Sequence, residues 1–131
     1  MDIEFDWMKP VAAATAAVLA NLLVVVYSIE ILGTSTEFMP LTYGPVALIT
    51  AIGALGGYAA FEVLKTYSEK PYENFLYVAA AVMIVSFVTV IYEAPTEAGA
   101  GMEEIAMLSL THVVAAVFTV GVILKMEIED Y

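Results

Sequence analysis

The sequence predicts an all-α integral membrane protein, an antiparallel four-helix bundle, on three observations. Its hydrophobic content of 62% and mean hydropathy of +0.89 exceed the near-half apolar content usual for soluble domains. The apolar residues fall into four runs, each near the ~20 residues that a helix needs to cross ~30 Å of hydrocarbon. Polar residues inside those runs are too few for the alternation of a membrane β-barrel. A chain of 131 residues is expected to form one domain, residues 1–131.

The first span is expected over 11–32, about 22 residues or ~33 Å of helix. The acidic segment before it ends in Trp7, Met8 and Lys9. A ring at headgroup depth and an ammonium directed outward suit a membrane interface. Pro10 suits the first helical position, where its missing N–H costs nothing. The run is too long for the apolar core of a cleaved signal peptide and lacks a clear small-residue cleavage site. Gly33 is a natural terminator, and the connector to Gly44 reads as polar and turn-rich.

The second span, 45–65, carries Gly53, Gly56, Gly57 and Ala60. The pairs Gly53/Gly57 and Gly56/Ala60 put small residues one turn apart, the pattern by which membrane helices approach closely and gain packing energy. Glu62 lies near the span's end, where snorkelling keeps its head group wet. The short connector Thr66–Tyr72 forces a hairpin with the third span, 73–93. Ser86 and Thr89 are that span's mid-depth polar groups, and Pro95 stops it. The fourth span, 104–125, opens on Glu103 and Glu104, acids that suit a helix N-terminus, and the tail Met126–Tyr131 reads as exposed.

Charge sets topology and removes several function classes. Fifteen acidic residues oppose four basic ones, for a net charge of −11. That excludes nucleic acid as a partner, because phosphate contacts need a basic face, and it argues against polybasic attachment to anionic lipid. An acidic surface poor in lysine suits a halophilic archaeal host. The basic residues are Lys9, Lys65, Lys70 and Lys125, and in a four-span chain all lie on one side. Both termini are therefore expected to be cytoplasmic, in a multi-pass protein of the cell membrane. The same asymmetry argues against a dual-topology transporter. With no cysteine in the chain, disulfides, thiolate metal sites and cysteine nucleophiles are excluded.

His112 is the only histidine. With each span's midpoint at the bilayer centre, Asn21 falls near the centre, His112 and Ser86 about 4 Å outward, and Thr50 about 8 Å outward. Four spans thus each send a polar group into one slab. Ser109, His112, Ala116 and Thr119 share a face of the fourth span, as Ala14, Ala17, Asn21 and Ser28 do on the first. Small-plus-polar faces are what the interior of a membrane bundle presents. The candidate polar core or ligand site is therefore His112, Asn21, Ser86, Thr50 and Ser109.

Two readings of His112 stand side by side. In one it titrates or binds a ligand within a cavity, since ionisable groups inside a membrane are functional candidates by default. In the other a neutral imidazole donates to a neighbouring helix and specifies packing. Removal from water disfavours its charged form, and no acid lies at its depth, so it is expected to be neutral at pH 7. Asn21 alone reads as interhelical glue. Glu30, Glu93, Glu97, Glu103 and Glu104 read as a solvated rim, since they lack the spacing of an ordered cation loop. Tyr27, Tyr43, Tyr58, Tyr72, Tyr77 and Tyr92 read as an interfacial belt.

No zinc-protease helix, phosphate-binding loop, nucleophile elbow or dinucleotide fingerprint occurs. A lone histidine without carboxylates at its depth does not assemble a catalytic zinc site. The expectation is a protein that is not an enzyme and has no cofactor or metal. Its partners would be the lipid bilayer and either further copies of itself or the other subunits of a membrane complex.

Asn21, Pro45 with Thr50, Ser86 and the run Leu110-Thr111-His112-Val113-Val114-Ala115-Ala116 together resemble an uncharacterised four-span membrane family, domain of unknown function family 6069. The likeness covers about residues 11–125. The chain departs from it at Thr111, where methionine is commoner before the histidine. It also has Tyr92-Glu93-Ala94-Pro95 where a proline pair is commoner. The resemblance implies a fold and a set of characteristic positions, and no activity.

Overall fold

A computed structural model describes residues 7–129. Among them are four α-helices and no strand: α1 (Met8–Val26), α2 (Tyr43–Tyr67), α3 (Pro71–Glu93) and α4 (Met102–Glu129). All four are long and apolar enough to cross a membrane. Each runs somewhat past the expected span, because a helix continues through the interfacial residues that a hydropathy reading trims away. Pro10 is therefore not the first helical residue: α1 already begins at Met8, and the Val11 N–H bonds to the Trp7 carbonyl.

Helix ends follow local chemistry. α1 widens into a π-turn over Tyr27–Leu32 and stops at Gly33, whose φ of 73° is the left-handed conformation that glycine adopts without strain. α3 starts on Pro71, where no N–H is needed. Ser68, in the connector before it, accepts from the side-chain amide of Asn74 in the first turn of α3 at 2.6 Å. α2 and α3 therefore form the expected antiparallel hairpin.

The bundle has a terminal end, with Trp7, the α2–α3 connector and the close of α4, and an opposite end with the two longer connectors. Each end has its own apolar cluster. Ala13, Tyr58, Phe61, Phe75 and Ile123 pack at the terminal end, with the Phe61 and Phe75 rings edge to face at 5.0 Å. Val25, Phe38, Leu41, Val46, Val90 and Ala94 pack at the opposite end.

Two readings of the sequence are corrected here. The connector after α1 is no mere polar turn, since Phe38 and Leu41 are fully buried and plug the opposite end. The α3–α4 connector closes over that plug at Gly99, with φ of 77°, where a Cβ would lie 2.7 Å from the Phe38 nitrogen. Tyr58 is buried in the core rather than at the interface, because α2 turns it onto the same face as Ala54 and Phe61.

Candidate functional site

α3 touches the rest of the bundle mainly through its ends, Phe75 in one apolar cluster and Val90 in the other. Between them it faces the small-residue ridge of α2. Gly57 takes up a close contact, since a Cβ there would lie 3.2 Å from Thr119 Cγ2, but a Cβ at Gly53 or Gly56 would meet nothing within 4 Å. Of the expected helix-packing residues, then, Gly57 packs on α4, while Gly53, Gly56 and Ala60 help to line an open cleft of about 650 Å³. Its physical cause is the absence of side chains on α2 where α3 passes.

The cleft is walled mostly by apolar side chains of α2, α3 and α4, and its polar residues come from all four helices. Asn21 is α1's contribution, buried at 1% exposure. Its Nδ2 donates to Thr50 Oγ1 and to the Thr111 carbonyl, both at 3.0 Å. That one amide ties α1 to α2 and α4. Asn21 Oδ1, equally buried, has no donor among the described residues.

His112 and Ser86 are half-buried in the same wall. Among the described residues, neither the imidazole nor the Ser86 hydroxyl has a hydrogen-bond partner. Thr89 lines the cleft too, but its hydroxyl is spent on the Val85 carbonyl of its own helix at 3.0 Å. Ser109 is not brought to the cleft. Its hydroxyl turns back to the Ile105 carbonyl at 2.9 Å, a local bond that competes with any contact across helices. Glu93 and Glu97 are exposed and stand where the cleft reaches the opposite end.

A second polar group lies at the terminal end. Glu127, 3% exposed, receives Lys9 Nζ at 2.9 Å and Lys65 Nζ at 3.2 Å on both carboxylate oxygens. Lys65 also pairs with Glu62 at 3.0 Å and stands 5.5 Å above the Phe61 ring. The reading of an exposed tail is therefore corrected at Glu127, and that of an outward ammonium at Lys9, itself 7% exposed. Burial is tolerable because each charge meets its opposite. Residues 1–6 and 130–131 of the acidic termini lie outside the described residues. Among those described, no cluster of three or more His, Asp or Glu side chains has the spacing to hold a metal ion.

The sequence profile of a family of unknown function, DUF6069, matches residues 2–126. The chain belongs to that family. No curated protein and no solved structure matches it. In this DUF6069 member, most of the residues that carry the likeness converge in space. Asn21, Pro45, Thr50, Ser86, His112, Ala115 and Ala116 lie on the cleft wall, as does Thr111, where the chain departs from the family, whereas Leu110, Val113 and Val114 do not. Sequence reasoning passed over two contributors. Thr111 acts through its backbone carbonyl, which no side-chain pattern reveals. Glu127 sits 118 residues from Lys9, and the one available hint was that both belong to the same end of the bundle.

Proposed function

We propose that the protein is a non-enzymatic membrane protein whose intramembrane cleft binds a small hydrophobic ligand. One observation carries the reading: an open cleft within the spans has a half-buried imidazole and hydroxyl, His112 and Ser86, with no protein partner among the described residues. Polar groups withdrawn from water need partners. A volume of about 650 Å³ lies in the range of ligand pockets, roughly 300–1,000 Å³. On this reading the Asn21 bonds hold the wall in shape, and both termini face the cytoplasm on the strength of the lysines. Further copies or other subunits would cover part of the apolar outer surface.

The test is purification in mild detergent from native membranes, followed by mass spectrometry of the retained small molecules. A hydrophobic molecule is expected at near one per chain. Gly53→Leu should fill the cleft and reduce retention about tenfold, whereas Gly121→Leu, whose Cβ also meets nothing within 4 Å but lies off the cleft, should not. No retained molecule, or equal loss in both variants, overturns the proposal.

A second reading is proton-coupled transport through His112, favoured by the position of the imidazole on the cleft wall. It needs a water path, and the apolar residues Val78, Val82 and Val85 along α3 weigh against one. Proton flux in proteoliposomes that disappears in His112→Ala is its expected signature; equal flux in both removes it.

A further inference from the structure

We infer that the cleft takes a long-chain lipid that is uncharged and carries a hydroxyl group, placed against Ser86 and His112 with its chain running toward the terminal end. This rests on the ligand reading above and names the ligand's class from shape, hydrogen-bond demand and charge.

Shape favours an elongated occupant. The cleft follows α3 from Phe75 to Glu93, which at 1.5 Å per residue is about 27 Å, a path that an extended hydrocarbon chain can follow. From Ser86 to Phe75 the cleft offers about 16 Å, floored by Gly53, Gly57 and Ala60 and roofed by Val78 and Val82.

Hydrogen-bond demand sets the head group. His112 and Ser86 line the cleft half-buried and without a protein partner among the described residues, and leaving such groups unsatisfied away from water is costly. His112 in its neutral form offers one donor and one acceptor, and Ser86 offers both. A hydroxyl is a donor and an acceptor at once. An ether offers only an acceptor, and a hydrocarbon neither.

Charge excludes the ionic lipids. No lysine lines the cleft to balance a carboxylate or phosphate. Glu93 and Glu97 stand at its opposite end, so an anionic head group would meet like charge on entry. No acid lines the wall beside His112 to pair with a cationic head group, and a bare charge at that depth is expensive.

The experiment uses the full-length protein in liposomes of neutral phospholipid. Three photoreactive probes share one diazirine-bearing chain: myristyl alcohol, its methyl ether and myristic acid. Adducts are mapped by peptide mass spectrometry. The alcohol is expected to label the cleft-facing parts of α2 and α3 about fivefold more than either other probe, the worth of one hydrogen bond. Ser86→Ala and His112→Leu should each lower alcohol labelling toward the ether's level. Ser109→Ala, off the cleft, should leave it unchanged. Ser86 has no protein hydrogen bond to lose, so its variant stays informative if another misfolds. Ether equal to alcohol, or acid strongest, overturns the hydroxyl class and leaves a cleft that binds apolar molecules. Labelling by no probe above the Gly53→Leu background overturns the class and the ligand reading together.

Discussion

At Asn21 a single amide joins three helices, and its environment decides how much that is worth. Its two bonds, to Thr50 Oγ1 and the Thr111 carbonyl at 3.0 Å each, are made inside the apolar bundle. There the unfolded reference state also finds partners, so interhelical bonds average only ~0.6 kcal/mol. A double-mutant cycle of Asn21→Ala and Thr50→Val is expected to give a coupling of about 0.6 kcal/mol, and Asn21→Ala alone should cost roughly 1–2 kcal/mol. Unfolding titrations in mixed micelles measure both; strictly additive effects would remove the bond from the account. The residue types of this site were legible in the sequence, because an Asn or a His amid leucines and valines announces itself. Their pairing was less so. Depth along a helix follows from counting, but the sequence does not say that a hydroxyl such as Ser109 will turn back on its own helix.

Among the elements, α1, α2 and α4 form a frame tied twice, by Asn21 at mid-depth and by Glu127 at the terminal end. Removing the shared anion of a buried ion group is costly. Glu127→Gln is therefore expected to cost on the order of 3 kcal/mol, since Lys9 and Lys65 both lose the buried carboxylate they share. Glu62→Gln should cost less than about 1 kcal/mol, because Glu62 and Lys65 remain 29% and 30% exposed. Thermal unfolding in detergent compares the two, and equal shifts would show that the Glu127 cluster is no tie. Gly99→Ala tests the opposite end. It combines a positive φ with a contact of 2.7 Å at the Phe38 nitrogen, and a loss of more than about 1 kcal/mol is expected. A wild-type melting temperature would mean that the connector does not seat on Phe38. The helices themselves were legible because hydrophobic length is a one-dimensional signal. The plug of Phe38 and Leu41 was not, because a short apolar pair in a polar connector has no periodicity to mark it.

For the molecule as a whole, the frame and α3 differ in how they meet their surroundings. In the most apolar window of α3 11% is buried, against 28% in α1 and in α2. α3 is thus the least buried of the four helices in the bundle. The proposed orientation rests on charge, since a lysine is held back on the cytoplasmic side far more effectively than an acid. Lys9, Lys65, Lys70 and Lys125 all belong to the terminal end. Lys9 and Lys65 are engaged with Glu127 once folded, but orientation is chosen during insertion, before that cluster can form, so their charges still count. Single cysteines in this cysteine-free chain test the point. Glu69, exposed in the α2–α3 connector, is a better site than Ser68, whose hydroxyl accepts from Asn74 and from the Lys70 N–H. Thr36 is exposed in the connector after α1. In intact cells, an impermeant maleimide is expected to label Thr36→Cys and to spare Glu69→Cys until the membrane is opened. The reverse pattern would place both termini outside. Labelling of both in intact cells would mean that the chain inserts in two orientations despite its lysines.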